Sequence, residues 1–424
     1  AITGRELAAL GVTWDFAPVA DVNVNPQNPV IGVRSYSEDP GLAADLAAAQ
    51  VRGYQGADIA AAAKHFPGHG DTATDSHTGL PVITHTREQW VQIDRPPFQA
   101  AIDAGVKAIM TAHIVVPALD ASEDPATLSR PILTGILRQE MGYDGVIITD
   151  ALGMEGVREK YGDDRVPVLA LKAGVDILLM PPKFELAYTS VLEAVRSGEI
   201  SQRRIDASVR RVLQLKWDLG LVGDPYVDVD DVPQKVGTPE HYAAAQQLTD
   251  RTTTLVKNDD GLLPLDPTSS QSVLVTGWGV GTTATLADKM SERGADAQAL
   301  ETGANPSDEQ IAAAVAAART RDLTVVVTNR AWLDANAQQR RLVQELIATG
   351  KPVVAVAARD PYDIAHFPTV PAYLATYSYT GVSLESVVRA MYGETTPQGR
   401  LPVTIPTADD PDTALYPFGH GLGY

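Results

Sequence analysis

Five short apolar runs, each ending in polar residues and followed by a helical stretch, constrain this chain most. They are 13–22 (TWDFAPVADV), 59–68 (IAAAAKHFPG), 107–116 (KAIMTAHIVV), 145–152 (GVIITDAL) and 175–181 (VDILLMP). Helical segments lie between or after them at 42–55, 87–104, 130–139 and 185–198. Strands that alternate with helices form a parallel sheet, because a parallel neighbour is reached only through a crossover. The sheet is then a barrel or a doubly wound layer, and in both the chemistry gathers beyond the C-terminal ends of the strands. Polar residues fall there: Asp21, Lys64, His65, His113 and Asp150. A closed barrel takes eight strands. Five are legible, so the expected fold class is α/β, a TIM-type (β/α)8 barrel whose first strands are missing from this sequence, followed by an α/β open-sheet sandwich domain. The opening AITGRELAALG reads as the inside of an amphipathic helix with no methionine or signal pattern. The missing strands are expected ahead of Ala1 or on a separate N-terminal fragment.

The alternation breaks over 223–240 (GDPYVDVDDVPQKVGTPE), where prolines recur and no apolar period survives. The expected domains are a barrel over 1–222, a linker over 223–250 and a sandwich over 251–424. In the last, runs at 272–276 (SVLVT), 323–329 (LTVVVTN), 353–357 (VVAVA) and 373–377 (YLATY) alternate with helical segments at 308–319 and 337–349, which predicts an open doubly wound sheet. The GWGVG at 277–281 follows a strand but lacks the GxGxxG spacing of a dinucleotide site, and no cofactor is assigned. The net charge of -19 argues against nucleic acid or an anionic membrane as the main partner, since both need a basic face. No run approaches the ~18 apolar residues of a membrane span. The chain has no cysteine, which removes disulfides and thiol nucleophiles from consideration.

Residues 64–81, KHFPGHGDTATDSHTGLP, hold His65, His69 and His77, three of the eight histidines, beside Asp71, Asp75 and Lys64. Burying that many polar groups in a core strand would carry a heavy desolvation cost. The density suits an active site that moves protons near neutral pH. Asp75 and His77 stand two apart on a Gly/Thr-rich loop. A carboxylate there fixes an imidazole's tautomer and readies it for proton transfer; the plainer reading is an Asx turn with a bystander histidine. Asp150 ends a strand and points into the mouth of the sheet, or simply caps the next helix. His65 and His69 have the His-x3-His spacing of a zinc helix, but Phe66-Pro67-Gly68 between them forbids a regular helix, so no metal is assigned. Arg34 and Lys64 sit in turn-forming, aromatic surroundings suited to a hydroxylated ligand. An anionic nucleophile, a His/Asp acid–base pair, and no thiol or phosphate loop together suggest carbohydrate chemistry.

With these residues in view, the chain resembles glycoside hydrolase family 3, and within it the two-domain β-N-acetylglucosaminidase branch. The segments that carry the resemblance are FAPVADVNVNP (16–26), NPVIGVRSYSEDP (28–40), KHFPGHGDTATDSHTGLP (64–81), VIITDALGM (146–154), LVKNDDGLLP (255–264), GRLPVTIP (399–406) and YPFGHGLGY (416–424). The resemblance implies retaining hydrolysis of terminal β-linked N-acetylglucosamine. Asp150 would be the nucleophile, His77 the acid–base and Asp75 its orienting partner; Arg34, Lys64 and His65 would bind sugar hydroxyls. The implied partner is an N-acetylglucosamine-containing oligosaccharide, muropeptide or chito-oligosaccharide, met outside the cell or at its surface. Phosphorolysis, a carbohydrate-binding pseudoenzyme and a metal-dependent hydrolase are the other readings. The family's acidic DxEGG-type sugar-binding segment has no counterpart here.

Overall fold

The structure is a computed structural model that describes residues 1–77, 79–223 and 225–424. Thr78 of the histidine-rich segment and Asp224 at the start of the expected linker lie outside the described residues. The chain divides into two compact units, Ala1–Thr238 and Pro239–Tyr424.

The first unit opens with helix α1 (Ile2–Ala9) and strand β1 (Trp14–Asp15). Helix α2 (Pro40–Gln55) follows, started by Asp39, whose Oδ1 accepts the Leu42 amide at 2.7 Å, with Pro40 in the first turn where its missing N–H costs nothing. Its inner face carries Ala43, Ala47, Val51 and Tyr54 at helical spacing. Strand β2 (Ala60–Phe66), helices α3 (Arg87–Gln92) and α4 (Arg95–Asp103), and strands β3 (Ala108–Thr111) and β4 (Val146–Ile148) come next. All four strands are parallel and pair in chain order, with Trp14 opposite Ala60, Ala62 opposite Ala108, and Ala108 opposite Val146. The fifth apolar run joins at one parallel bridge, Ile148 to Ile177. Short helix α5 (Glu155–Arg158) and helices α6 (Gly162–Ala173), α7 (Phe184–Arg196) and α8 (Gln202–Asp218) complete the series.

Ala60–Ala63 are fully buried, as a strand covered on both faces requires. Behind β2, Phe66 meets Phe98 and Trp90 edge-on, with centroids 5.2 and 6.4 Å away, and the Trp90 indole N–H donates to the Pro67 carbonyl at 2.9 Å. This aromatic cluster seats the C-terminal end of β2, from which the histidine-rich segment departs.

The segment 223–250, expected to be a linker, contains helix α9 (Val232–Lys235) and most of α10 (Pro239–Thr252), so much of it is helical. Two of its three prolines, Pro233 and Pro239, each lie in the first turn of a helix, and Pro225 lies outside any helix.

The second unit is built on a six-stranded sheet in the order β5 (Thr254–Asn258), β10 (Ala372–Ala375), β9 (Val353–Ala357), β8 (Leu323–Thr328), β6 (Ser272–Gly277), β7 (Asp296–Glu301). Within this sheet only the β5–β10 pairing is antiparallel, and a separate antiparallel pair joins β11 (Ile405–Pro406) to β12 (Ala414–Tyr416). Alternate residues feed two cores. Val273, Val325 and Val354 pack with helices α11 (Val280–Ser291) and α14 (Gly381–Met391), while Leu274, Val326 and Ala355 pack with α12 (Asp308–Ala318) and α13 (Ala337–Ile347). The expected doubly wound sheet is therefore present, with helices on both faces. Gly277 passes the Val327 carbonyl too closely to admit a Cβ, which accounts for the first glycine of GWGVG by strand packing.

Candidate active site

A cleft of about 240 Å³ opens in the first unit, beyond the C-terminal ends of β2 and β4. Among its lining residues are Arg34, Lys64, His65, His69, His77 and Asp150, with Phe16, Met110 and Met180 as apolar wall. The structure thus brings five of the six residues singled out in the sequence to one surface. The sixth, Asp75, reaches it through His77.

Asp150 stands two residues past β4. Its Oδ1 accepts the Ala151 amide at 2.7 Å, and Oδ2 faces His65 Nε2 at 4.0 Å. Burial alone would raise its pKa, but the surrounding basic groups, His65 foremost, and the Ala151 amide outweigh burial and hold it below the ordinary aspartate value. It is a carboxylate kept ionised inside a cleft with 22% of its side chain exposed, the state a nucleophile needs.

Asp21, 1% exposed, organises the other side. Its Oδ2 lies 2.7 Å from His65 Nδ1, and its Oδ1 accepts the backbone amides of His65 (3.1 Å) and His69 (2.8 Å). Burial would raise this carboxyl too, and His65 reverses the direction. With Nδ1 engaged, His65 turns Nε2 toward the cleft, where it meets the Arg34 guanidinium at 3.3 Å. Arg34 is itself steadied by donating to the Val30 carbonyl at 3.2 Å. Lys64 has its pKa lowered by burial first and by Arg34 second.

His77 is the exposed member, with 61% of its side chain open to solvent. Asp75 Oδ1 lies 2.7 Å from His77 Nδ1 and also accepts the His77 amide at 2.9 Å, so one carboxylate oxygen fixes both ring and backbone. Asp75 is lowered in pKa against its partial burial, the His77 amide and ring being the causes. His69 is buried, with Nδ1 at 2.7 Å from Thr72 Oγ1 and Nε2 at 3.0 Å from Ser76 Oγ; burial pushes it down to about 4, so it is neutral near pH 7. Among the described residues no group of three or more His, Cys, Asp or Glu side chains is arranged to hold a metal ion. His65 and His69 both spend their ring nitrogens on protein groups.

Two features escaped the sequence reading. Asp21 was visible as a strand-end residue, but not as the acceptor that builds the His65 turn. His85 stands outside every motif of the sequence. It lies between two carboxylates, with Nδ1 2.7 Å from Asp94 Oδ2 and Nε2 3.1 Å from Asp71 Oδ2. The hydrogen bond to Asp71, then that to Asp94, raises it to about 10. Its only local sign is a histidine directly before the Thr86–Gln89 capping box of α3.

Comparison with known proteins fits this geometry. Residues 1–215 match the family model "Glycosyl hydrolase family 3 N terminal domain", and residues 253–424 match "Glycosyl hydrolase family 3 C-terminal domain". The chain is 40% identical over 282 residues to Beta-hexosaminidase A of Pseudoalteromonas piscicida; the match takes in 62% of this chain and 46% of that protein, so it spans about half the relative's length. It is 28% identical to Beta-N-acetylglucosaminidase/beta-glucosidase of Cellulomonas fimi, over 95% of this chain and 76% of that one. A solved glycoside hydrolase family 3 β-N-acetylglucosaminidase from Paenibacillus sp. str. FPU-7 superposes with a TM-score of 0.87 at 36% identity, covering 94% of this chain and 77% of the other. The fold of the two units is accordingly the TIM-like barrel and α/β sandwich of that structure. The matches span both units of the chain, which belongs to glycosyl hydrolase family 3.

Proposed function

We propose that this chain is a retaining exo-β-N-acetylglucosaminidase that removes terminal β-linked N-acetylglucosamine. The observation that carries the reading is the Asp75–His77 pair opening on the same cleft as the ionised Asp150. The hexosaminidase names of the 40% identical relative and of the 36% identical solved structure support the sugar.

In the first half-reaction an Asp150 carboxylate oxygen attacks the anomeric carbon. The glycosidic C–O bond breaks, and the leaving oxygen takes a proton from the His77 imidazolium. In the second, neutral His77 removes a proton from water, the water oxygen attacks the same carbon, and the bond to Asp150 breaks. Two inversions leave the β-configuration unchanged. Asp75 orients and polarises the imidazole. An imidazole carries no negative charge in either protonation state, so it avoids the repulsion that a second carboxylate would bring beside the anionic nucleophile. Arg34, Lys64 and His65 bind the sugar hydroxyls. All these groups come from the first unit, so the catalytic domain is assigned to it.

The test is turnover of an aryl β-N-acetylglucosaminide. Asp150→Ala and His77→Ala should each lower kcat/KM by roughly 10⁴-fold. An Asp150→Ala protein of near-normal activity would sink the assignment. Running the assay with and without phosphate identifies the acceptor: N-acetylglucosamine as product means hydrolysis, and its 1-phosphate means phosphorolysis.

A further inference from the structure

We propose that His85 is a positioning residue for the acid–base segment, a charged staple that fixes the start of residues 71–77 to the core. The role given to His77 rests on the reading above; the staple itself rests on geometry.

Ionised carboxylates only accept hydrogen bonds, so a histidine with one at each ring nitrogen carries a proton on both. His85, 8% exposed, holds that position and is raised to about 10 by the two carboxylates, while burial raises the Asp94 carboxyl and its bond to His85 opposes that rise. Its inner partner Asp94 is 1% exposed at the start of α4, and α4 is locked to β2 through Phe98. Its outer partner Asp71 is the first residue of the segment that ends at His77. Charge-assisted bonds of this kind are short and roughly twice as strong as neutral ones.

Two further contacts hold this stretch, and a third holds the turn before it. Gly68 lies against Asp94, where a Cβ would come within 2.7 Å of the carboxylate. The Asp71 carbonyl accepts from Asn25 Nδ2 at 3.4 Å. Near its far end, Ser76 is held by His69. His77 itself is open to solvent, so its placement depends on these anchors rather than on packing around its ring. Misplacement of a reacting group by about 1 Å costs on the order of 10²-fold in rate.

The experiment uses His85→Gln and Asp71→Ala, with Asp71→Asn as the conservative variant that keeps an acceptor for Nε2. The kcat/KM of each is measured on two aryl β-N-acetylglucosaminides, one with a phenol leaving group that needs protonation and one with 2,4-dinitrophenol that does not. The expected result is a loss of roughly 10²-fold on the phenyl substrate, little loss on the dinitrophenyl one, and recovery in Asp71→Asn. An equal loss on both substrates would make His85 a general structural residue and overturn the proposal. Hydrogen exchange of the free proteins supplies an arm independent of turnover. Faster exchange at 71–77 in both His85→Gln and Asp71→Ala, with β2 and α4 unchanged, supports the staple even if His77→Ala shows that the acid–base assignment is wrong. Unchanged exchange at 71–77 in both variants removes it.

Discussion

His113 sits at a strand end with its ring nitrogens on Thr127 Oγ1 (2.8 Å) and the Ala151 carbonyl (3.1 Å), and burial lowers its pKa to about 4. The unfolded chain binds this proton near pH 6.5 and the folded one only near 4, so acid favours unfolding. The contribution of His113 to stability is complete above pH 6.5 and is lost as the pH falls toward 4. Thermal unfolding of the wild type should show that decline, and His113→Gln should show a shallower one; equal slopes would refute the assignment. Residue by residue, the site was legible where local sequence carried it. Asp150, Lys64 and His65 announce themselves at the ends of apolar runs, and Asp75 and His77 by being two apart. The Asp71–His85–Asp94 staple was not legible, because its members come from a loop, the turn before α3 and the start of α4, and only folding makes them neighbours.

Among elements, the buried strands were the readable ones. All five runs of the first unit take parallel pairings, and the four runs of the second become β6, β8, β9 and β10. The edges were lost. β7 reads DAQALE and is largely solvent-facing, so it lacks the apolar signature that reveals a covered strand, while β5 lies antiparallel at the opposite edge, outside the strand–helix rhythm. The union of α4 with β2 gives a prediction at this scale. Phe98 is fully buried against Phe66, and Phe98→Ala should cost about 3–5 kcal/mol in denaturant unfolding. A loss below about 1 kcal/mol, less than truncating a buried aromatic side chain typically costs, would mean that the helix is held by its other contacts.

For the molecule as a whole, the excess of 53 acidic over 34 basic side chains is its most general property. Like charges repel more in the compact state than in the unfolded chain. Raising salt from about 10 mM to about 150 mM shortens the screening length from roughly 30 to 8 Å, and Tm should rise over that range; a flat or falling Tm would show that ion pairs outweigh the repulsion. The imidazole of His77 is mostly in water, so a reagent that acylates histidine rings reaches it from solvent without any opening of the fold. The rings of His65, His69, His85 and His113 are buried and would be spared, so among these five histidines such labelling would single out His77.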